Sequence, residues 1–245
     1  MRCLLFAPAM VLCCLTLATL SSCGGEEGGA IAAPSEFIAL EGSWTRSHAS
    51  GHYVYTFTSS ESADLFTHES FALGTPTPVN SSSGNASALN SHLALWTACD
   101  LSTGTPGSQE VGPFAIHEDA FSRDQVYLPL TPDQGIVGVW TFAWERFVDL
   151  DCAGYPDHPN KTRTNTLELR DDGTSRFTSA EMTTTAGGSF VPLGEPIDRE
   201  GTWSLEGEGG VQKVTTIDAQ LVNEYELSQS GALVDLNPSY WYFRD

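Results

Sequence analysis

The sequence carries little positive charge. Only 11 of its 245 residues are lysine or arginine, against 31 aspartate and glutamate, and the formal net charge is −20. A field of this sign repels nucleic acid and anionic lipid headgroups, and it attracts cations or basic proteins. The composition therefore argues against a nucleic-acid partner. It leaves two interpretations open, which are solubility and capture of a basic protein.

Motifs of the common enzyme classes are missing as well. The sequence has no Gly-x-Ser-x-Gly nucleophile elbow, no His-Glu-x-x-His zinc motif and no phosphate-binding glycine loop. The neighbouring carboxylates Glu118 and Asp119 would point to opposite faces of a strand, so they make a poor catalytic pair. We therefore expect a protein that is not an enzyme and needs no cofactor.

Histidine patterns for a metal site are weak. His48 and His52 have the same parity, and His68 would neighbour them across a predicted hairpin, which would give a face of three imidazoles. Histidines in such positions are more often ordinary exposed strand residues. We therefore expect no metal at these positions.

An acidic stretch imitates the start of a calcium loop. Asp149 and Asp151 have the right spacing, but a helix-flanked calcium loop also needs an oxygen ligand at position five and a glutamate at position twelve. Those positions hold Ala153 and Asn160. A solvated acidic loop is the better interpretation, and whether Asp149, Asp151 and Asp157 bind calcium stays open.

The one long apolar run stands at the start of the chain. A basic Met1-Arg2 pair precedes the almost wholly apolar residues 3–20, and small residues follow. This order is typical of a secretory signal. The glycine- and glutamate-rich stretch after it has no cationic stop-transfer cluster, which argues against a membrane-spanning helix.

The stretch LSSC, which ends at Cys23, resembles the lipobox of bacterial lipoproteins. The resemblance implies that residues 1–22 are a signal peptide and that Cys23 is lipidated and anchors the protein to a membrane. Several acyl chains hold far more firmly than one. Because Gly24 follows instead of aspartate, the resemblance implies the outer membrane. Residues 23–35 would form the lipidated end and a flexible tether. An ordinary cleaved signal and an uncleaved anchor remain the alternatives.

Few cysteines remain beyond the signal. Four of the six lie at or before position 23, which leaves Cys99 and Cys152. In an oxidising compartment an even remainder predicts a disulfide. Closing a loop of this length would stabilise the fold by about 4 kcal/mol. Two separate buried thiols are the alternative.

Beyond the signal, no helix-like periodicity is convincing, and short alternating runs dominate. Residues 52–57 and 63–66 predict one hairpin, and residues 166–170 and 175–178 predict another around an Asp-Gly turn. Further predicted strands are 93–97, 125–130, 139–148, 213–217, 224–227, 232–236 and 240–243. Breaker-rich connections are predicted at 74–90, 102–113, 131–135, 153–165 and 186–201. This pattern predicts an all-β barrel or sandwich.

A Gly-x-Trp spacing recurs along the chain. It ends at Trp44, Trp140 and Trp203. The interval between the motifs of Trp44 and Trp140 is roughly the same as the interval between Gly112-Pro113-Phe114 and the motif of Trp203. The spacing predicts two related β units, residues 36–133 and residues 134–245.

The run Ile136-Val137-Gly138-Val139-Trp140, the Asp-Gly hairpin and Gly201-Thr202-Trp203 together resemble the lipocalin-like domains of bacterial secreted proteins. The resemblance is best in the second unit. It implies antiparallel barrels whose Gly-x-Trp indoles are architectural and pack across a closed end. It also implies that an arginine, Arg244, closes over such an indole. A full-size lipocalin is a single barrel, whereas this chain predicts two shorter units.

The function expected from these observations is that of an outer-membrane-anchored, non-enzymatic lipoprotein. The resemblance implies a small apolar or amphiphilic ligand in a barrel mouth, but the sequence identifies no ligand-binding residue. One alternative is an acidic interaction or inhibitor protein that binds a basic partner. Another is a structural lipoprotein of the cell envelope.

Overall fold

The computed structural model describes residues 36–60, 62–117, 119–131, 135–185, 188–208, 211–219, 221–228, 231–237 and 240–244. The expected signal peptide at 1–22, the lipidation site Cys23 and the tether at 23–35 lie outside the described residues, so they stay predictions. None of the helices in the described ranges has the length and apolar character needed to cross a membrane.

Within these ranges the chain forms one short helix, α1 (Glu36–Leu40), and eighteen β-strands. The strands are β1 (Gly42–His48), β2 (Gly51–Ser59), β3 (Asp64–Ala72), β4 (Asn80–Leu89), β5 (His92–Thr97), β6 (Gly107–Pro113), β7 (Ala115–His117), β8 (Ala120–Ser122), β9 (Val126–Pro129), β10 (Gly138–Asp149), β11 (Lys161–Leu169), β12 (Thr174–Thr184), β13 (Phe190–Pro192), β14 (Ile197–Glu208), β15 (Val211–Asp218), β16 (Val222–Leu227), β17 (Leu233–Asp235) and β18 (Tyr242–Arg244). The described pairs are antiparallel.

Eight of these strands close into a barrel. The ring runs through β9, β10, β11, β12, β14, β15, β16 and β17, and it returns to β9 where Leu233 pairs with Tyr127. Its interior holds a buried cluster that includes Trp140, Leu167 and Tyr225. The predicted all-β class and the closed antiparallel barrel are therefore confirmed.

The remaining strands other than β13 continue the same sheet, and we call them the N-terminal array. Its order is β7, β8, β18, β1, β2, β3, β4, β5 and β6. The array joins the barrel where β6 pairs with the end of β10, from Val111 opposite Glu145 to Gly107 opposite Asp149. A separate buried cluster fills the array and includes Trp44.

The array and the barrel have the same pairing register around their Gly-x-Trp motifs. The two series of facing residues are Gly42–Phe57–Phe66–Gly84 and Gly138–Leu169–Ser175–Gly201. At Gly84 and at Gly201 a Cβ atom would collide with the backbone carbonyl of the next strand. The register therefore makes Gly84, and not Gly112, the counterpart of Gly201.

The indoles of the Gly-x-Trp motifs lie in the two cores. Trp44 and Trp140 are fully buried, and each Nε1 donates to the carbonyl four residues earlier, at 2.6 Å to Leu40 and at 3.0 Å to Ile136. Trp203 is partly buried and packs against the barrel core. These contacts hold the chain as it enters β1 and β10.

Arg244 covers the indole of Trp44. Its guanidinium carbon lies 4.5 Å from the centre of the Trp44 ring, and its Nη2 donates to the Ala39 carbonyl at 3.0 Å. The indole is that of the first Gly-x-Trp motif because β18, the last strand, pairs with β1. The strand β18 thus belongs to the N-terminal array, between β8 and β1.

Strands also cross the boundary predicted between residues 133 and 134. β9 precedes this boundary but completes the barrel, and β18 follows it but pairs with β1 and β8 of the array. The described residues accordingly belong to one compact unit.

Three strands lie within predicted breaker-rich connections, namely β4, β6 and the three-residue β13, and β11 and β14 begin inside such connections. β4 carries the sequence NSSSGNASAL, which has no apolar alternation and is largely exposed, and β6 carries GSQEVGP. Each is a strand because it pairs on both sides, β4 with β3 and β5, and β6 with β5 and β10. Local propensity is a weak guide for strands that partners hold in this way.

Candidate functional site

A cavity of about 410 Å³ opens between the array and the barrel, beyond the buried indoles of Trp44 and Trp140. Its wall combines four cations, three carboxylates, one imidazole and five aromatic rings. The lining residues are Arg46, Arg123, Lys161, Arg163, Glu110, Asp124, Glu181, His68, Tyr53, Tyr55, Phe142, Trp144 and Tyr242.

Strand alternation explains why these side chains reach the cavity. Successive side chains in a strand point to opposite faces, so residues two apart share a face. In β1, Arg46 follows the buried Trp44 at this spacing, and in β10 Trp140 is followed by Phe142 and Trp144. The inward face of β1 therefore changes from apolar to charged at the cavity, whereas that of β10 stays aromatic.

The same alternation produces a row of three residues at the mouth of the barrel. Trp144 in β10 faces Arg163 in β11, and Arg163 faces Glu181 in β12. Lys161 is two residues from Arg163 on the same face of β11, and it forms an ion pair with Glu181. The lysine thus engages the one carboxylate of this row.

Arg123 forms the centre of a buried polar network. Its Nη1 donates to the Tyr55 hydroxyl at 3.0 Å and its Nη2 donates to Glu110 Oε2 at 3.0 Å. Burial alone would lower the pKa of the guanidinium, but Tyr55, Glu110 and Asp124 outweigh it, and the net shift is upward. Arg123 therefore stays charged, and the network fixes the side of the cavity that the array provides.

Arg46 is held by one carboxylate and two rings. Its Nη1 donates to Asp124 Oδ2 at 2.7 Å, and its guanidinium carbon lies 4.5 Å from the Tyr242 ring centre and 5.3 Å from that of Tyr53. Such cation–π contacts orient both the cation and the rings. The Arg46 guanidinium thus contacts both rings of the aromatic wall on this side.

Arg163 differs from the other three cations. Among the described residues no carboxylate lies within ion-pair distance of its guanidinium, and no side chain or carbonyl accepts a hydrogen bond from it. The residue is half-buried at the cavity. Burial raises the pKa of the Tyr127 and Tyr240 phenols, and the charge of Arg163 partly opposes the rise.

His68 separates this cavity from a smaller one. Its ring stacks on Tyr55 with centroids 4.3 Å apart. Burial lowers the pKa of the His68 imidazole, and the nearby Arg123 charge lowers it further. Behind His68, Tyr55 and Glu110 a second cavity of about 130 Å³ extends into the array. The imidazole thus adds no positive charge near neutral pH.

The alternative of three imidazoles on one face does not form. His48 lies opposite Gly51 across a tight turn, so His48 and His52 have opposite orientations, and the shared parity assumed from the sequence fails. His52 stacks on Phe71, whereas His68 stacks on Tyr55 on the inner face. No group of three metal-binding side chains occurs in the part of the chain that the structure describes.

The acidic stretch after β10 forms local loop contacts. Asp149 Oδ1 accepts from the Gly154 amide at 3.2 Å, and Asp151 Oδ1 accepts from the Ala153 amide at 3.4 Å. Asp157 lies exposed further along the same loop. The observed contacts are those of a hydrogen-bonded acidic loop.

The structure joins Cys99 and Cys152 as a disulfide, with their Cα atoms 5.4 Å apart. The separation is within the usual range for a bridge. It ties the segment after β5 to the loop after β10, and the Tyr155 hydroxyl of that loop donates to the Thr97 carbonyl at 2.8 Å. The bridge therefore braces the junction of array and barrel.

The residues that line the cavity were not among those predicted from the sequence. One signal was present in β11, where Lys161, Arg163 and Asn165 continue the alternation of Leu167 and Leu169, so that two cations share the face of the core residues. Compared with models of protein families, with curated proteins and with solved structures, the chain gives no significant match.

Proposed function

We propose that this protein is a lipid-anchored carrier of the bacterial outer membrane that binds a small amphiphilic molecule and catalyses no reaction. The binding site is the cavity between the array and the barrel. The observation that carries the proposal is this cavity of about 410 Å³, whose wall combines fixed aromatic rings with charged groups. Binding sites for small molecules typically have this size and this mixture.

Lipocalin-like kinship is part of the proposal. Its support is the closed eight-stranded barrel, the buried Gly-x-Trp indoles and the arginine that covers one of them. The lipid anchor rests on the LSSC stretch that ends at Cys23. Such an anchor would keep a soluble carrier at the membrane surface, where amphiphilic molecules are available.

We also propose that residues 36–133 and 134–245 derive from one repeated β unit. The equal register of the two Gly-x-Trp series supports this, as does the equal indole bond to the carbonyl four residues earlier. In each half the motif lies at one end of its strand, and cavity-lining residues lie further along the same strand, Arg46 in β1 and Trp144 in β10. Two such strands that face one cavity would account for its position.

An amphiphile fits the wall better than a purely apolar ligand. The rings of Trp144, Tyr53 and Tyr242 offer apolar area, but Arg46, Arg163 and their neighbours lie beside them. An apolar molecule would remove water from these charges without replacing its hydrogen bonds, which is unfavourable. A molecule with an apolar body and a polar head satisfies both parts of the wall.

Binding of the neutral dye phenylnaphthylamine tests the proposal. The chain from residue 24 onwards, which keeps every described residue, should enhance the fluorescence of the dye at a single site. Trp144→Ala should weaken binding by about tenfold, because burial of an aromatic contact contributes at least about 1.4 kcal/mol. Trp96→Ala is the matched control, since Trp96 lies on a different groove beside Tyr155. Absence of dye binding, or equal loss in both variants, would refute the proposal.

The net charge of −20 favours a second function, which is capture of a basic protein. Contacts between exposed charges weaken as salt is added. Salt-sensitive retention of a cationic protein such as cytochrome c, unchanged by saturation of the cavity with dye, would support this second function. Retention that does not depend on salt would contradict it.

A further inference from the structure

The charges of the cavity wall do not cancel. Three of its four cations are matched by three carboxylates, Arg46 by Asp124 at 2.7 Å, Arg123 by Glu110 at 3.0 Å, and Lys161 by Glu181. Arg163 is the fourth cation, and the described residues offer its guanidinium no carboxylate. The wall therefore carries one uncompensated positive charge in a protein whose net charge is −20.

Neighbouring groups do not neutralise this charge. The Tyr55 and Tyr242 phenols at the cavity are buried and uncharged near neutral pH, because burial raises the pKa of both. The carboxylate that faces Arg163 across the strands belongs to Glu181, and Lys161 binds it. An anion that enters the cavity would therefore meet an available guanidinium.

Resting on the proposed function, we propose that the ligand is an anionic amphiphile and that Arg163 binds its oxyanion head. The head is a carboxylate, sulfonate or phosphate group, and the apolar body lies along Trp144. The pairing register supports this arrangement because Trp144 and Arg163 face each other directly across β10 and β11. One ligand can thus contact the indole and the guanidinium together.

An arginine suits this role better than a lysine. Its planar guanidinium offers two parallel N–H groups to the two oxygens of an oxyanion. The half-buried position also strengthens the attraction, since less water screens the charges than at the surface. The remaining acidic surface repels anions, so the cavity is the part of the molecule where an anion is favoured.

A pair of dyes with the same ring system tests the assignment. Phenylnaphthylamine is neutral, and anilinonaphthalene sulfonate carries one sulfonate. With the chain from residue 24 onwards, Arg163→Met should weaken binding of the sulfonate dye by about tenfold or more, because a hydrogen-bonded charge contributes about 1.5–3 kcal/mol. Binding of the neutral dye should change by less than about twofold, since Met keeps apolar contact with the ring.

Three further variants make the test specific. Arg163→Lys should show a loss of about threefold for the sulfonate dye, because a point charge replaces the fork. Glu181→Gln should tighten that dye by about threefold, since Lys161 loses its carboxylate and can join the anion. Arg176→Met is the matched control, because Arg176 pairs with Asp198 at an exposed position outside the cavity. Thermal unfolding checks that each variant is folded.

The outcomes separate the two proposals. If the neutral dye binds in the cavity but Arg163→Met and Arg163→Lys leave the sulfonate dye unaffected, or weaken both dyes equally, the anion site is wrong and the carrier function stands. If neither dye binds the unmodified protein, both proposals fall. If Arg163→Met does not fold, the Lys and Gln variants decide, and unchanged sulfonate binding in both overturns the assignment.

Discussion

Replacing Arg123 by methionine tests the buried network that shapes the cavity wall. The Arg123 side chain is 8% exposed, and it donates both to the Tyr55 hydroxyl and to Glu110. Methionine has a similar length but no donor, so the change removes both hydrogen bonds and leaves the volume nearly filled. The substitution therefore isolates the polar contribution of the guanidinium.

Two terms set the expected loss of stability. The Tyr55 hydroxyl would remain buried without its donor, which costs about 1–3 kcal/mol. Breaking a fully buried ion pair costs about 3–5 kcal/mol. The pair is only partly buried here because the Glu110 side chain is 30% exposed and keeps Arg146 at 3.8 Å, so the carboxylate can be hydrated and partly compensated. We expect a total loss of about 3 kcal/mol.

Urea unfolding of the two single variants and the double variant measures this network. Tyr55→Phe alone should cost about 1 kcal/mol, and its combination with Arg123→Met should cost at least about 0.5 kcal/mol less than the sum. Arg176→Met makes the same chemical change at an exposed pair and should cost less than about 1 kcal/mol. A loss below about 1 kcal/mol for Arg123→Met, or strict additivity with Tyr55→Phe, would refute the assigned network.

Two further predictions concern His68 and a close backbone approach. Burial lowers the pKa of His68 in the folded state, so the unfolded chain binds the proton more readily. The stability that His68 provides is therefore fully present above about pH 6.5, and it should fall as the pH is lowered below that value. Urea midpoints measured from pH 7.5 to pH 5 should show a smaller decline in His68→Gln, and an equal decline would contradict the assignment. Gly84→Ala should destabilise the fold by about 1–3 kcal/mol, since its Cβ would collide with the Trp96 carbonyl. Gly135→Ala is the control, because a Cβ atom there meets no atom within 4 Å, and it should change stability by less than about 0.5 kcal/mol. Similar thermal midpoints for the two alanine variants would show that the close approach is not rigid.

The strands that sequence patterns predicted correctly are those with local signals. The β11–β12 hairpin carries alternating residues on both sides of an Asp-Gly turn, and Gly173 has the positive φ of 80° that such a turn needs. β4 had no such signal, because its polar residues form a strand only between β3 and β5. A pattern within one segment cannot predict a strand that depends on its neighbours.

The parity of the histidines shows the same limit at a single turn. Residues two or four apart share a face only within one continuous strand. The tight turn between His48 and Gly51 restarts this alternation, and His52 therefore points away from the face that His68 occupies. The shared parity of His48 and His52 was wrong because it was counted across a turn.

By itself the sequence determined the all-β class and the hairpins β2–β3 and β11–β12, and it predicted the disulfide between Cys99 and Cys152. These depend on alternation, turn residues and residue counts, which can be read within short segments. Only the tertiary structure decided the cavity, because Arg46 and Arg163 lie on β1 and β11, and the pairings β6–β10 and β18–β1 bring their strands together. It also decided which cation lacks a carboxylate, since ion pairs depend on distances between side chains that are far apart in the chain.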